Sequence, residues 1–152
     1  MPESSPAGLA FGYKTTTYTQ PTLASATPVA WTTGNSPVTL FTVTGSVLAR
    51  VYGVVGATAF TSTGGTGTLA VGVASTTGVF LAASTVNGTT NFIASAAWVD
   101  TTPTVLAEVL ASAAWVVCTG NIILTVATNS MTAGAVVMYC DWIPLTSGAS
   151  VV

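Results

Sequence analysis

Short runs of alternating apolar and polar residues, separated by glycine- and asparagine-containing turns, make up most of the chain after residue 37. Threonine, valine and aromatic residues fill these runs, which is typical of half-buried β-strands. The pattern predicts strands at residues 38–44, 47–55, 68–74, 79–83, 91–93, 115–119, 122–127 and 135–143. Predicted turns include 64–67, 77–78, 87–88, 119–121 and 133–134. Residues 104–114 fit one short helix or a further strand.

About eight short strands predict an all-β fold. We expect a β-sandwich, and an eight-stranded jelly roll as its specific form. The glycines inside the strand patterns, Gly53, Gly56 and Gly72, are expected at bulges or at close approaches of two backbones. The length of 152 residues fits one domain.

The first 37 residues differ from the rest, since they contain five of the seven prolines. Proline lacks a donor N–H and fixes φ, so the segment favours extended chain over a sheet interior. Apolar and aromatic residues are nevertheless spaced along it: Leu9, Phe11, Tyr13, Tyr18, Leu23 and Trp31. We therefore predict an extended, partner-binding arm over 1–37 and a sandwich domain over 38–152. A flexible leader is the alternative. On the arm interpretation, deleting 1–37 leaves a folded domain.

Charge is nearly missing from the chain. Charged residues make up 4% of it, against about 25% in an ordinary soluble domain. A surface with so little charge repulsion suits contact with other protein copies.

Two basic residues cannot form the patch that nucleic acid requires. No apolar run approaches the roughly 20 residues of a membrane helix, and the N-terminus lacks the features of a signal peptide. We expect neither nucleic acid nor membrane as a partner.

The composition also argues against catalysis. The chain has no histidine, which removes the usual base of a nucleophilic triad and a common zinc ligand. The acidic residues are scattered, so no calcium loop is present, and we expect no enzyme activity, no metal and no cofactor.

Arg50 and Asp141 lie in two predicted strands and are a candidate structural ion pair. Asp100 and Glu108 are alternative partners for Arg50. Cys118 and Cys140 are either bridged or buried thiols.

Four local stretches resemble small head proteins of tailed bacteriophages: PVTLFTVTGSVL at 37–48, WVDTTP at 98–103, NIILTV at 121–126 and YCDWIPL at 139–145. The similarity is to the capsid decoration proteins, also called cement or head-stabilising proteins, of the β-sandwich or jelly-roll type. It implies a homotrimer on the outer capsid surface of a virion, made in the host cytoplasm. The implied partners are the major capsid protein, other copies of the chain and neighbouring decoration subunits, with arms crossing between subunits at three-fold and quasi-three-fold positions.

Two other functions remain open. The chain is also compatible with a tail, head-fibre or other minor virion structural protein, which would be β-rich and charge-poor as well. A carbohydrate-binding β-sandwich would use aromatic faces as a stacking platform, for which the four tryptophans are candidates: Trp31, Trp98, Trp115 and Trp142. We expect Trp115 and Trp142 in the core instead, because both lie in apolar strand patterns.

Overall fold

A computed structural model describes residues 13–20, 31–55, 58, 60–85 and 115–152. The described chain is all-β with antiparallel sheets, consistent with a β-sandwich. Its strands are β1 Lys14–Gln20, β2 Val38–Phe41, β3 Val43–Thr44, β4 Val47–Val55, β5 Thr61–Ser62, β6 Thr68–Val73, β7 Thr76–Thr85, β8 Val116–Cys118, β9 Ile122–Ala127, β10 Met131–Ala133, β11 Val136–Pro144 and β12 Ser150–Val151. Two 3₁₀ turns occupy Thr33–Asn35 and Thr63–Gly65.

Two four-stranded sheets form the body of the molecule. The first sheet has the order β1-β11-β4-β8, and the second has the order β2-β9-β6-β7. Two short pairs, β10 with β5 and β12 with β3, complete the described strands. Next to the β12–β3 pair, Thr42 and Val152 exchange two backbone hydrogen bonds. These bonds hold residue 152 against the chain that precedes β3.

One hydrophobic core draws on both sheets. In β4, Val47, Ala49 and Val51 are buried, whereas the residues between them are only partly buried. This alternation is the period of two that puts successive side chains on opposite faces of a strand. The buried residues of β4 join one cluster with those of the second sheet, such as Leu81 and Leu124. Burial of each large apolar side chain contributes roughly 1.5–3 kcal/mol.

The predicted strands correspond closely to the observed ones where the chain is described. β4, β6, β8, β9 and β11 occupy the predicted places within about two residues. The predicted strand 38–44 is divided into β2 and β3. The turn predicted at 77–78 is wrong, since these residues belong to β7 and the turn falls at 74–75. The strand predicted at 91–93 and the element at 104–114 lie outside the described residues.

Two glycines are required by close packing. Gly72 lies where β6 and β7 shift register, and a side chain there would overlap the backbone of Thr76 and Thr77, which confirms the predicted close approach. Gly134 has a φ of +139° and faces the ring of Phe60. A Cβ at this position would overlap that ring, so glycine is needed for both space and backbone conformation.

Candidate functional site on the outward face of the first sheet

The outward face of the first sheet combines residues from four strands or their ends. Val51 of β4 points into the core, so its neighbours Arg50 and Tyr52 point outward. The β4–β11 register places Arg50 opposite Asp141 and Tyr52 opposite Tyr139. The β1–β11 register adds Thr15 beside Asp141. Residues opposite one another in adjacent strands share a face, so these side chains form one continuous surface.

Arg50 and Asp141 form an ion pair on this face. Asp141 Oδ2 accepts hydrogen bonds from Arg50 Nη2 at 2.7 Å and from Nε at 2.9 Å. Its other oxygen, Oδ1, accepts a hydrogen bond from the Thr15 hydroxyl at 2.7 Å. The Asp141 side chain is only 3% exposed, whereas that of Arg50 is 32% exposed. The carboxylate is therefore satisfied within the protein, while the guanidinium reaches the surface.

The guanidinium of Arg50 also lies near two aromatic rings, one of which stacks on a third. We call these four residues the aromatic row: Trp115, Arg50, Tyr52 and Tyr139. The guanidinium carbon lies 5.1 Å from the ring centre of Trp115 and 6.0 Å from that of Tyr52. Tyr52 stacks on Tyr139 with ring centres 5.2 Å apart and planes inclined by 16°. The two hydrogen bonds to Asp141 fix the position of the Arg50 guanidinium. The guanidinium in turn attracts the faces of the neighbouring rings, so the aromatic row is ordered before any partner binds.

The aromatic row lies among exposed apolar side chains. Tyr13 is 61% exposed, Val117 is 59% exposed and Trp115 is 37% exposed. Burial raises the pKa of Tyr52 above its usual 10.0, and the Asp141 charge raises it further, while the Arg50 charge lowers it. Because Asp141 balances the charge of Arg50, the surface is nearly neutral.

The residues predicted to anchor the arm differ in how deeply the structure buries them. Trp31 is fully buried, stacks on Phe60 with ring centres 5.8 Å apart, and accepts a backbone hydrogen bond from Met131 through its carbonyl. Tyr18 lies in β1, partly buried against the core, with its ring 6.3 Å from that of Phe41.

These two positions correct the sequence interpretation for Tyr18 and Trp31, because both side chains contribute to the core of their own subunit. Tyr13 is the one predicted anchor among the described residues that is largely exposed. Leu9, Phe11 and Leu23 lie outside the described residues. The arm over 1–37 therefore remains a prediction for residues 1–12 and 21–30, while β1 and Trp31 belong to the sandwich.

The four tryptophans do not line one surface. Trp142 is buried, as expected, with its indole N–H donating to the Thr16 hydroxyl at 3.1 Å and the Lys14 ammonium 5.0 Å from its ring centre. Trp31 is buried too, so neither ring is open for stacking on a sugar. Trp115 was expected in the core, and this expectation is wrong, because it precedes β8 at the sheet edge and faces outward beside Arg50. Trp98 lies outside the described residues.

Reactive groups are few in the described part of the chain. Cys118 and Cys140 are buried free thiols. Burial raises the pKa of Cys118 to about 11 and that of Cys140 to about 12, so both are protonated and unreactive at neutral pH. No group of three potential metal ligands occurs among the residues described. In the same ranges, no helix has the length and apolar character needed to cross a membrane.

Sequence reasoning proposed Arg50 and Asp141 as a pair, and the structure brings them together. It missed the aromatic row, because the row depends on which strands are neighbours and on their register. A hint was nevertheless present. Tyr52 and Tyr139 each lie two positions from a member of the ion pair, so once Arg50 faces Asp141 in antiparallel strands, the two tyrosines must also face each other.

Comparisons of the chain with protein-family models, with curated proteins and with solved structures find no match.

Proposed function

We propose that this protein is a structural virion protein that decorates and stabilises the outside of a phage capsid. One observation carries the proposal. A sandwich from a chain with 4% charged residues presents a prearranged, neutral surface of aromatic and apolar side chains on the outward face of one sheet. Tyrosine, tryptophan and arginine are the residues most enriched at the energetic centres of protein interfaces. Such a surface suits attachment to another protein.

The proposal includes a jelly-roll form of the sandwich. In a jelly roll, eight strands form two four-stranded sheets through two Greek keys. The order β1-β11-β4-β8 in one sheet and β2-β9-β6-β7 in the other supports this form. Among the described strands of the two main sheets, successive strands lie in different sheets except for β6 and β7. Trimerisation at three-fold positions and arms that contact neighbouring subunits are part of the proposal through the resemblance to decoration proteins.

The copy number in purified virions tests this role. Quantitative mass spectrometry would compare the chain with the major capsid subunit in the same particles. We expect a ratio near one to one, because a decoration protein covers the whole shell. A small fraction of that ratio would instead place the chain in the tail, in a head fibre or at a unique vertex. Absence from the particles would overturn the virion role altogether.

A pair of variants tests the docking face. Tyr139→Ala removes one ring of the aromatic row, whereas Thr39→Ala changes an exposed residue of β2 in the second sheet. Truncating an aromatic at the centre of an interface typically costs at least 2 kcal/mol, which corresponds to roughly 30-fold weaker binding. We expect this loss for Tyr139→Ala alone when binding to undecorated shells is titrated. Equal binding by both variants would show that the shell contacts another face.

A further inference from the structure

The aromatic row carries hydrogen-bond donors that the described part of the subunit does not use. Arg50 donates to Asp141 through Nε and Nη2, and no described residue accepts from its Nη1. The indole N–H of Trp115 and the hydroxyls of Tyr52 and Tyr139 also have no hydrogen-bond partner among the described residues. A partner that covers this face displaces the water around these donors, so it has to supply acceptors in return.

The acceptors on the same face are largely occupied. The Asp141 carboxylate is 3% exposed and already accepts three hydrogen bonds, two from Arg50 and one from Thr15. It also balances the charge of Arg50, so an acidic partner would gain little net attraction. The hydroxyls nearby can donate as well as accept. The face therefore fits a partner that is uncharged and has more hydrogen-bond acceptors than donors.

A proline-rich polypeptide has this chemistry. Proline keeps its backbone carbonyl but has no N–H, so a run of prolines offers acceptors without donors. Such a run forms a polyproline II helix with solvated carbonyls, and this preformed helix binds at low entropic cost to surfaces lined by aromatic rings. A sugar, in contrast, presents hydroxyls that need acceptors as well as donors. The carboxylate of Asp141 is too buried to serve them.

The spacing of the rings agrees with the pitch of this helix. Trp115 lies one step beyond the Val116–Ala49 pair and so opposite Arg50, which makes Tyr52 its diagonal neighbour in the adjacent strand. Diagonal neighbours lie about 7–8 Å apart. The two ring centres are at most about 11 Å apart, because they lie 5.1 Å and 6.0 Å from the same guanidinium carbon. One turn of polyproline II, three residues at about 3.1 Å each, rises about 9 Å and falls within this range.

We propose that the aromatic row binds an uncharged, proline-rich segment of a partner protein in the polyproline II conformation. Two prolines one turn apart pack on Trp115 and Tyr52, and carbonyls between them accept from Arg50 Nη1 and from the Trp115 indole N–H. The inference rests on the proposed function, since it names the chemistry of the segment that the shell presents to this face.

Titration of the full chain with a capped ten-residue proline peptide tests this contact, and a capped Gly-Ser peptide of the same length is the control. NMR follows the indole N–H signals, and the Trp115 signal is assigned from its loss in Trp115→Phe. We expect the proline peptide to shift the Trp115 signal until it saturates and to leave the signals of the buried Trp31 and Trp142 in place. The Gly-Ser peptide should shift none of them. Equal shifts with both peptides, or no shift at millimolar proline peptide, would overturn the proposal.

Two variants locate the binding surface, with affinity measured by the fluorescence anisotropy of a labelled proline peptide. Trp115→Ala removes an exposed ring, and Thr39→Ala changes an exposed residue of the second sheet. We expect Trp115→Ala to bind about tenfold more weakly or worse, as is typical when a central aromatic is truncated, and Thr39→Ala to bind unchanged. Circular dichroism checks that both variants are folded. Equal affinities would overturn the proposal, and so would displacement of the peptide by maltoheptaose, which would assign the rings to a sugar.

Failure of this inference is distinguishable from failure of the decoration role. If the proline peptide does not bind while Tyr139→Ala still weakens binding to undecorated shells, only the proline-rich partner is overturned. If the peptide binds at Trp115 and the chain is absent from virions, the binding surface stands and the decoration role fails.

Discussion

Replacing Arg50 with methionine isolates the contribution of the buried ion pair. Methionine keeps much of the apolar stem of arginine, so packing beside Tyr52 and Trp115 is largely preserved. The guanidinium is lost, and with it two of the three hydrogen bonds that the Asp141 carboxylate accepts among the described residues. The remaining donor is the Thr15 hydroxyl. The variant thus leaves a carboxylate that is 3% exposed without a counter-charge.

The expected cost follows from that burial. Removing one partner of a buried ion pair costs about 3–5 kcal/mol, because an uncompensated charge remains in the interior. The guanidinium side of this pair is one-third exposed, so water can enter the space it leaves, and we expect the lower end, about 3 kcal/mol. For a domain of this size, that free energy corresponds to a decrease in Tm of roughly 10 °C.

Urea unfolding followed by circular dichroism measures this change, and two variants serve as controls. Lys14→Met removes the other described cation, an exposed side chain whose ammonium lies 5.0 Å from the ring centre of the buried Trp142, and should cost about 1 kcal/mol or less. Arg50→Met/Asp141→Asn removes both charges and should recover at least half of the loss, because no buried charge remains. If Arg50→Met unfolds like Lys14→Met, or if the double variant recovers nothing, the pair does not stabilise the sheet as argued.

Three further predictions concern the core and the N-terminal segment. The raised pKa values of Cys118 and Cys140 mean that the folded state holds protons that the unfolded state releases above about pH 9. The contribution of these two thiols to the free energy of unfolding should therefore be constant below that pH and fall as the pH rises toward 12. Urea titrations measure this contribution as the difference from a Cys118→Ala/Cys140→Ala control. Deleting 1–12 should leave a cooperative thermal transition, whereas deleting 1–37, which removes β1 and Trp31, should abolish it. Gly134→Ala should lower the free energy of unfolding by about 1–3 kcal/mol in urea titrations, and an unchanged value would contradict the close approach to Phe60.

The strands that could be predicted from sequence are those with enough apolar residues to show a period of their own. β4, β9 and β11 contain valine, isoleucine or leucine in runs bounded by turn residues, so their places follow from local pattern. β1 has the sequence KTTTYTQ, with one aromatic and no aliphatic residue. It forms a strand because β11 offers it a partner along its whole length, and that partner lies at the other end of the chain. Composition alone therefore placed β1 in an arm.

The site was predictable only in its charges. Arg50 and Asp141 are conspicuous because so few charged residues lie in strands, and a buried charge needs a partner. Nothing comparable draws attention to a tyrosine, which is common in strands on either face. Tyr52 and Tyr139 become a stacked pair only when β4 and β11 are adjacent and in one register. Register is set by tertiary contacts, so the sequence gives the tyrosine pair only when Arg50 is already assumed to face Asp141 in antiparallel strands.

The ion pair and the aromatic row depend on each other, which explains why a chain with so few charges keeps two of them on one face. Asp141 holds the guanidinium by two hydrogen bonds, and the guanidinium fills the space between Trp115 and Tyr52. An aliphatic residue at position 50 could separate the rings but could not attract both of their faces. The ion pair thereby orders the aromatic side chains when the protein folds. A partner then does not have to restrict their rotation when it binds. Since that ordering cost is met on folding, it does not reduce the free energy of binding, and a nearly neutral surface can bind a partner through its aromatic side chains.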